Sequence, residues 1–422
     1  PGLVPGDFAK VKCINIKGKI WYSEIESVIQ PSEYRVKPLC SVYDQCGGCS
    51  IQHIDYSKQI LLKQQALKFL IERVGRIHTS FYPIEANTSN SFSYRNRAII
   101  PFLINEDTSF LLGYYKRGTH SIVDIDQCPV LDSRIDRLIV ELKRVIRLFI
   151  SKFPNEINTL SLITHISLRI SVYTGQVIVT VVSRKSIHKL LKNLFSNFYN
   201  NNNNNIVGII NNIQNIDSNV IFGETNKLIY GQLYIEEKFS NLLFYINSNC
   251  FFQVNTPLAE CAVNIISKII SKKKGNFNLV DAYSGIGTIS LPLAKYTNKT
   301  IGIEANMISV ELARKNCTLN KISNTKFIND NVDNVLSEYL SNNDLLILDP
   351  PRKGLSDSIL KTIITIKPMY IFYMSCNPST LTRDLQNLTR EFIYNVESIY
   401  SFDFFPHTTH LEVLAIVKKA SF

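Results

Sequence analysis

The stretch YMSCNPSTL, residues 373–381, sets a cysteine between an apolar run and an Asn-Pro pair. The apolar run predicts a buried strand, and Asn377-Pro378 forces a non-helical exit before a helix that begins near Ser379. Cys376 is therefore expected where a strand has just ended. In that position it is either a buried structural thiol or a nucleophile, and the nearby helix N-terminus is expected to lower the pKa of its thiol.

A second chemical candidate is Glu412, in HTTHLEVL at residues 407–414, where the last strand begins after an aromatic and proline-containing loop. From the residues alone this glutamate could also face solvent. His407 and His410 could be read as zinc ligands, but their spacing is poor and no cysteine is close in sequence. Orientation of the loop is the better interpretation of His410.

A glycine turn follows an apolar strand in NLVDAYSGIGTISLPLA. Asp281 ends the strand, and Gly285 and Gly287 would let the backbone turn sharply beneath a ligand before a helix N-terminus with free N–H groups. Structural turns share this pattern. The third glycine of the dinucleotide fingerprint is missing, because position 290 is Ser290.

Three further acids end the strands that follow: Glu304, Asp330 and Asp349. Glu304 is placed to accept hydrogen bonds from ribose hydroxyls, although it could instead cap a helix. Asp330 could equally be an ordinary loop acid. The carboxyl ends of parallel strands meet at one edge of a sheet, so the acids together favour an adenosine-type ligand there.

The surrounding elements divide the 422 residues into three segments. Residues 1–38 alternate like short β-strands, and residues 39–238 are rich in β-branched runs that predict a central antiparallel β domain. From residue 239 to 422, apolar strands alternate with helices, which predicts an α/β class, doubly wound Rossmann-like domain.

Two features interrupt the central segment. One amphipathic helix is predicted over about 55–75, ending at Gly75, and it could pack on the C-terminal domain. Six consecutive asparagines, 200–205, predict a low-complexity surface insertion without a function of its own.

The charge balance favours a polyanionic partner. Lys and Arg number 46 against 35 Asp and Glu, a formal net charge of +11. Neither a membrane span nor a secretory leader is recognisable, so a cytoplasmic protein without a membrane partner is expected, and the missing initiator methionine indicates a trimmed chain. No obligate protein partner is evident. Nine cysteines without a secretory signal make metal or catalytic use a better expectation than a disulfide framework.

Four ordered motifs carry a family resemblance: FFQVN, LDPPRKG, SCNPSTLTRDL and FFPHTTHLEVL. Together they resemble the bacterial uracil-C5 RNA methyltransferases, S-adenosylmethionine-dependent enzymes that make 5-methyluridine in transfer or ribosomal RNA. The resemblance covers nearly the whole chain. It implies Cys376 as the nucleophile and Glu412 as the general base. The cofactor residues that it implies are Gln253, Tyr283, Thr288, Glu304, Asp330 and Asp349, and Thr288 stands where relatives often carry Asn.

The chemistry explains why such an enzyme needs a thiol and a base. Uracil C5 is a poor nucleophile, and addition of the Cys376 thiolate to C6 supplies the electron density that C5 needs to attack a sulfonium methyl group. Glu412 would then remove the C5 proton, and the thiolate would leave.

A second cysteine group, CSVYDQCGGCS, holds three thiols spaced C-x5-C-x2-C, with a fourth candidate in DIDQCPVLD. Four thiolates can bind zinc or an iron–sulfur cluster, and unliganded thiols are also compatible with the spacing. The pattern resembles the four-cysteine [4Fe-4S] site in the ribosomal RNA branch of the family, with zinc as the alternative occupant. Its role would be structural or RNA-contacting. The implied ligands are Cys40, Cys46, Cys49 and Cys128.

RNA binding is expected from three regions. The N-terminal segment resembles a partial TRAM domain, a small RNA-binding β-barrel. Basic and aromatic residues interleave in SYRNRA (Tyr94, Arg95, Arg97) and in YYKRGTH at 114–120, which suits backbone charge with base stacking. These stretches could also be exposed sheet edges. The target uridine would have to flip out of a loop to reach Cys376.

The sequence therefore predicts an RNA uracil-C5 methyltransferase, with 23S ribosomal RNA as the expected target and transfer RNA as the alternative. A cytosine-C5 RNA methyltransferase is disfavoured because no Pro-Cys follows LDPPRKG. A catalytically silent RNA-binding protein is a rival of another class, but both Cys376 and Glu412 are present.

Overall fold

The computed structural model describes residues 2–200, 205–216, 220–273 and 275–420. Residues 201–204 of the asparagine run lie outside this set, so the predicted insertion is described only at its flanks. Among the helices described, none is both long and apolar enough to cross a membrane.

The described strands and helices are numbered in chain order. The strands are β1 (Phe8–Lys17), β2 (Ile20–Gln30), β3 (Ser80–Glu85), β4 (Arg97–Ile104), β5 (Phe110–Tyr115), β6 (Ile122–Asp124), β7 (Ile163–Ile170), β8 (Val177–Ser183), β9 (Ile206–Ile213), β10 (Thr225–Gly231), β11 (Tyr234–Phe239), β12 (Leu242–Asn247), β13 (Leu279–Ala282), β14 (Thr300–Glu304), β15 (Thr325–Asn329), β16 (Leu345–Leu348), β17 (Tyr370–Ser375), β18 (Tyr394–Phe402) and β19 (Glu412–Lys419). The α-helices are α1 (Tyr56–Lys68), α2 (Ser133–Lys152), α3 (Ile157–Leu160), α4 (His188–Asn200), α5 (Thr256–Ser271), α6 (Ser290–Leu293), α7 (Met307–Leu319), α8 (Val332–Tyr339), α9 (Asp357–Ile366) and α10 (Pro378–Thr389).

An eight-stranded sheet forms the C-terminal half, in the order β15-β14-β13-β16-β17-β19-β18-β3. The first five strands are parallel, β19 runs antiparallel between β17 and β18, and β3 pairs parallel with β18. Both faces of β16 are buried, since Leu345 and Ile347 pack with α5 and α7 while Leu346 and Leu348 pack with α8 to α10. This explains the continuous apolar runs in the sequence, because a strand covered on both faces has no solvent side.

The central sheet has seven strands in the order β10-β9-β8-β7-β4-β5-β6, with α2 and α4 packed on it. It is not wholly antiparallel as predicted, because β8 and β9 pair in parallel. That pairing needs a crossover, and α4 supplies it. The asparagine run therefore lies in the connection from α4 to β9.

Residues 2–38 contain one two-stranded antiparallel sheet, β1 with β2. Its strands are mostly exposed on both faces, including Phe8 and Trp21 at 65% and 69%. The described residues of this segment thus form a hairpin. They do not form a closed barrel, and the TRAM-like assignment stays a prediction.

The C-terminal sheet also includes residues from before the predicted domain boundary near residue 239. The predicted helix over 55–75 is α1 followed by a π-helical turn at Phe69–Val74. Leu67 and Ile71 share a core with α9 and α10, and β3 completes the C-terminal sheet. Residues 56–85 therefore pack with the C-terminal sheet although the central sheet follows them in the chain.

Candidate active site

A cleft lies at the carboxyl ends of β13 and β16, where two predicted acids end their strands. Its empty space, counting the part open to solvent, is about 600 Å³. Gln253, Tyr283, Thr288 and Asp349 all contribute to its wall, together with Asp281. The structure thus brings four of the six predicted cofactor residues into one cleft.

The glycine turn at the cleft is a strained segment of backbone. Tyr283 adopts a φ of 72°, which is unusual for a residue with a side chain. At Gly287 φ is 89°, and a Cβ atom there would lie 3.0 Å from Leu291 and Phe327. Both the conformation and the close packing require glycine at this second position.

Glu304 supports this turn instead of lining the cleft. Its Oε2 accepts a hydrogen bond from the Gly285 N–H at 3.0 Å, and its Oε1 accepts one from the Asn306 N–H at 2.7 Å. Asp330 lies at the next strand end, where its Oδ1 accepts from the Asn331 N–H and from Asn334 Nδ2. Neither carboxylate belongs to the cleft wall, and both stay predictions as cofactor contacts.

Two buried carboxyl groups of the cleft have raised pKa values. Burial raises the pKa of Asp281 to about 7, against a hydrogen bond from Ser290 Oγ to its Oδ2. Burial also raises the pKa of Asp349 to about 6. Asp281 Oδ1 is buried and has no hydrogen-bond partner within the described residues. An acceptor oriented into the cleft without a partner is suited to a ligand hydroxyl or ammonium group.

Cys376 and Glu412 are brought together by strand register. In the antiparallel pair of β17 and β19, Met374 lies opposite Leu414 and Ser375 lies opposite Val413. One step further along the same register places Cys376 opposite Glu412. Directly opposite residues have Cβ atoms roughly 5 Å apart. The thiol and the carboxyl group, 36 residues apart in sequence, therefore share one strand end beside the cleft.

The electrostatics of this pair correct one prediction. The pKa of the Cys376 thiol is raised by burial and then by Glu412 and Asp349, with Arg352 opposing them. The expected lowering of the pKa was wrong, because two carboxylates and desolvation outweigh the helix N-terminus. Burial, with the charge of Asp349, likewise raises the pKa of Glu412 to about 8. Glu412 is only 6% exposed.

Arg352 is a site residue that the motif LDPPRKG contained but that sequence reasoning did not single out. It is the cation that opposes the raised pKa values of both Cys376 and Glu412. Its backbone is fixed by α10, since Asn377 Nδ2 and Thr380 Oγ1 both donate to its carbonyl oxygen, at 3.0 and 3.3 Å. The start of the helix after Cys376 thus also positions the neighbouring positive charge.

Comparison with known proteins identifies the family. The chain matches the family described as tRNA (uracil-5-)-methyltransferase over residues 55–420. The chain belongs to this family. Relatives described as uncharacterized RNA methyltransferases include one from Prochlorococcus marinus, 41% identical over 417 residues and covering 99% of each chain, and one from Bacillus cereus, 31% identical over 423 residues and covering 98% of this chain and 90% of the relative.

A solved structure agrees over nearly the whole fold. The crystal structure of Pyrococcus abyssi tRNA (uracil-54, C5)-methyltransferase in complex with S-adenosyl-L-homocysteine superposes with a TM-score of 0.75 and 26% sequence identity, covering 98% of this chain and 94% of that one. The predicted α/β methyltransferase fold and the predicted enzyme class, an RNA (uracil-5)-methyltransferase, are therefore confirmed.

The four predicted cysteine ligands are near one another in this family member. Burial raises the pKa of Cys49 to about 11, and Cys40 and Cys46 raise it further. Burial raises that of Cys128 to about 12, again with contributions from Cys49 and Cys40. Within the described ranges, however, no three His, Cys, Asp or Glu side chains form a group that could hold a metal ion.

The loop around these thiols contains donors directed at sulfur. The Gly48 N–H donates to Cys46 Sγ at 3.3 Å. Gln52 Oε1 accepts from the Cys40 N–H at 2.7 Å. Gln52 Nε2 is buried and has no acceptor in the described part of the chain. The Gln52 amide is nevertheless close to Cys49, because it acts to lower the pKa of that thiol against the effect of burial. The donor set and this orphaned N–H fit a site whose sulfurs accept hydrogen bonds.

The RNA-binding stretches are only partly exposed in this methyltransferase. Tyr94 donates its hydroxyl to the Pro406 carbonyl at 3.3 Å, and Tyr114 packs against the central core. Arg97 donates to the Ser248 carbonyl and lies over an aromatic ring. All three were expected to contact RNA, but Tyr94 and Arg97 bond to residues beyond the central sheet and Tyr114 packs within its core. Tyr115, Lys116 and Arg117 are exposed as predicted.

The two histidines before Glu412 differ in burial, and loop orientation was expected of His410. His410 is exposed, whereas His407 is 3% exposed and hydrogen-bonded on both ring nitrogens. Burial and the charge of Lys63 lower the pKa of His407 to about 4. His407, not His410, therefore orients this loop, because the neutral ring is surrounded by the protein.

Proposed function

We propose that this protein transfers a methyl group from S-adenosylmethionine to C5 of a uridine in RNA, through a covalent bond between Cys376 Sγ and uracil C6. The observation that carries the proposal is the placement of Cys376 opposite Glu412 at the strand end beside the cleft. A thiol and a buried carboxyl group on adjacent strands supply the nucleophile and the base that this substitution needs.

The cleft residues fit an adenosine-type cofactor. Asp281 has an unpartnered buried oxygen, and Gln253, Tyr283, Thr288 and Asp349 complete the wall. Bound S-adenosylmethionine would supply an electrophilic methyl group. Glu304, which supports the glycine turn, and Asp330, at the next strand end, would reach the ribose.

The protein's own groups account for the remaining steps. Cys376 loses its proton to solvent to form the thiolate, with Arg352 as the stabilising charge, and adds to C6, so that C5 becomes nucleophilic. After methylation C5 carries both a methyl group and a hydrogen. Glu412, as the carboxylate, removes that hydrogen as a proton; the C–H electron pair forms the C5–C6 double bond, and the C6–S bond breaks to return the thiolate.

The raised pKa of Glu412 suits this role. A carboxyl group with a pKa of about 8 is a stronger base than an ordinary glutamate.

We further propose that Cys40, Cys46, Cys49 and Cys128 hold a [4Fe-4S] cluster, with zinc as the alternative occupant. Support comes from the four-thiol donor set, from the Gly48 N–H directed at Cys46 Sγ and from the unpartnered Gln52 Nε2. The cluster would be structural or would contact RNA, because the methylation chemistry has no electron-transfer step.

The target that we propose is a flipped-out uridine of 23S ribosomal RNA, on the basis of the four-cysteine pattern. Transfer RNA is the alternative, because the P. abyssi structure is named for uracil 54 of tRNA. The hairpin of β1 and β2, as part of a TRAM-like module, together with exposed Tyr115, Lys116 and Arg117, would bind the RNA in the cytoplasm.

The deciding experiment is mass mapping of modified nucleosides in total RNA from a strain that lacks this protein, with the wild type or Cys376→Ala restored. We expect one or more 5-methyluridines to disappear and only the wild type to restore them. The fraction in which the loss occurs separates ribosomal from transfer RNA. Unchanged uridines with a lost 5-methylcytidine, or no change at all, would overturn the proposal.

A further inference from the structure

The loop over residues 403–411 connects β18 to β19 and ends at Glu412. It crosses a region where the C-terminal sheet meets the cysteine-bearing segment, residues 40–54. Four consecutive backbone carbonyls of the loop are bound by groups outside it. The donors are Asn255 Nδ2 to the Phe404 oxygen at 3.3 Å, Lys63 Nζ to the Phe405 oxygen at 3.3 Å, Tyr94 Oη to the Pro406 oxygen at 3.3 Å, and the Ser50 and Ile51 N–H groups to the His407 oxygen at 3.0 and 3.1 Å.

Buried charges hold the start of this loop. Lys63 Nζ contacts Asp403 Oδ1 at 2.6 Å, and Tyr56 donates its hydroxyl to Asp403 Oδ2 at 2.9 Å. Both donors lie on α1, which follows the cysteine-bearing segment directly. Asp403 is fully buried and Lys63 is 6% exposed, so breaking this pair would leave an uncompensated charge in the interior. The loop is therefore tied to α1 at its first residue.

His407 is the central contact of the loop. Its backbone has a φ of 66°, a costly conformation for a residue with a side chain. Its ring stacks on Phe92 with centroids 4.2 Å apart. Its N–H donates to Gln59 Oε1 at 3.0 Å, and its Nδ1 lies 3.2 Å from Gln59 Nε2. Such a backbone persists only where its surroundings determine it.

The hydrogen bonds assign the tautomer. A backbone N–H can only donate, so Gln59 Oε1 accepts from it and Gln59 Nε2 must donate to His407 Nδ1. The proton of the neutral ring is then on Nε2, which lies 3.1 Å from Ser91 Oγ. Gln59 Nε2 also donates to the Ile54 carbonyl at 2.8 Å, so its amide joins the loop to the end of the cysteine-bearing segment.

The same segment contacts His407 a second time, immediately after a proposed metal ligand. Cys49 is followed by Ser50 and Ile51, whose N–H groups both donate to the His407 carbonyl. The histidine is thus bound at its N–H, its carbonyl and its ring by residues between 50 and 91. Glu412 is five residues beyond it.

We propose that His407 and Gln59 are positioning residues that couple the cysteine-bearing segment to the general base: the conformation of residues 49–54 determines where the loop over 403–411 places Glu412. The coupling rests on the proposed role of Glu412. It acts without any contact between the cysteines and the substrate. Disruption at either end is expected to loosen the other, because a coupling free energy between two sites is reciprocal.

The first test is hydrogen exchange, which needs neither substrate nor turnover. Gln59→Met removes the amide and keeps a side chain of similar length. We expect amides of residues 403–411 and of Ser50 and Ile51 to exchange at least about tenfold faster, because the variant loses the three hydrogen bonds that the Gln59 amide makes to the His407 N–H, His407 Nδ1 and the Ile54 carbonyl. The matched control is Gln176→Met, which loses one bond from the Glu236 N–H in the central domain. Exchange at 403–411 should be unchanged in it.

The reciprocal test begins from the cysteine side. Cys49→Ser is expected to speed amide exchange over residues 403–411 by a similar factor. Among the described residues, the Cys49 side chain has no hydrogen bond to this loop. Slower or unchanged exchange there in both Cys49→Ser and Gln59→Met would overturn the coupling. If Gln59→Met does not fold, Gln59→Asn, which keeps the amide one methylene shorter, is measured against the same criterion.

Kinetics then separate positioning from binding. With an RNA hairpin that the wild type methylates, Gln59→Met is expected to lower kcat about 10- to 100-fold with KM values nearly unchanged, since a shift of the order of 1 Å in a reacting group has this cost. A covalent protein–RNA adduct should accumulate, because Glu412 is late in the reaction. A changed KM with normal kcat would refute positioning. A wild type that forms neither adduct nor 5-methyluridine would refute the proposed function instead, while the exchange result would stand.

Discussion

The two regions that contain the candidate functional cysteines, the strand end at Cys376 and the segment over residues 40–54, are built differently. Cys376 immediately follows β17 and Glu412 begins β19, so the pairing of these strands, which ends with Ser375 opposite Val413, brings the two residues together. The segment that carries Cys40, Cys46 and Cys49 is irregular, and its shape depends on turns and on individual hydrogen bonds such as the Gly47 N–H to the Tyr115 carbonyl at 2.9 Å. The first arrangement is rigid without any ligand, whereas the second depends on contacts that one substitution can remove.

This difference indicates where function tolerates change. A strand pair buried on both faces fixes its ends through many backbone bonds, so substitution of Cys376 or Glu412 removes a chemical group and leaves the frame. In the cysteine-bearing segment a thiol is also part of what holds the loop. The variants below test this contrast, in order of the expected effect.

Cys376→Ala should abolish methyl transfer, by about 10⁴-fold or more in kcat, while binding of S-adenosylmethionine and thermal stability remain close to wild type. The reason is that the thiol supplies the covalent bond but little of the packing at the exposed strand end. Single-turnover assays with labelled cofactor, together with calorimetry of cofactor binding, check this. Retained turnover would remove the covalent mechanism, and lost cofactor binding would show that the strand end is not rigid.

Glu412→Gln should lower kcat by about 10²- to 10⁴-fold, the usual contribution of a general base. The variant should trap RNA as a slowly resolving covalent adduct, because addition and methylation need no carboxylate but loss of the C5 proton does. Denaturing gels of enzyme mixed with RNA and cofactor measure the adduct. Fast product release without an adduct would contradict the assignment of the base.

Cys46→Ser should abolish any brown iron–sulfur absorbance in protein purified without air and should lower the thermal midpoint, because a bound metal stabilises the native state alone. Metal analysis by mass spectrometry is the measurement. Cys13→Ser is the matched control, since Cys13 is exposed on β1 and away from the other thiols. Zinc without iron would favour the alternative occupant, and identical metal content in both variants would exclude this site.

The unfolding free energy should fall between about pH 5 and pH 8 and fall less in Glu412→Gln. Burial raises the pKa of Glu412 from 4.5 to about 8 in the folded protein. A group with a raised folded pKa stabilises below its unfolded pKa, and that stability is lost as pH rises through the folded value, with a limiting slope of about 1.4 kcal/mol per pH unit. Denaturant titrations of both proteins across this range measure the difference. If the unfolding free energies of the two proteins change with pH in parallel, the pKa of Glu412 is not raised by folding.

Much of the active site was predictable from local sequence. Apolar runs ending in Asp281 and Asp349 predicted strands that end at a ligand cleft, and the cleft contains both residues. Glu304 was also predicted at a strand end, yet its carboxylate binds the Gly285 and Asn306 N–H groups. The hydrophobic pattern predicts where a strand ends. It does not predict the hydrogen-bond partner of a side chain there, because that depends on which nearby backbone groups are without a partner in the folded chain.

Other expectations failed because burial is a tertiary property. Tyr94, Arg97 and Tyr114 form a basic and aromatic pattern that suits RNA, but they lie between domains or against the core. The helix N-terminus after Cys376 predicted a lowered pKa, but burial, together with the carboxylates of Glu412 and Asp349, raises it instead. No local pattern shows that residues 349 and 412 converge on residue 376.

By itself the sequence determined the alternation of strands and helices and the glycine turn of the cleft, and it predicted Cys376 and Glu412 as the reacting pair, because hydrophobic period and backbone conformation are local. Only the tertiary structure decided that β3 joins the C-terminal sheet, that His407 instead of His410 is buried, and that the segment after Cys49 binds the loop before Glu412. These relations join residues hundreds of positions apart, and only the packing of complete elements brings their hydrogen-bonding groups within reach.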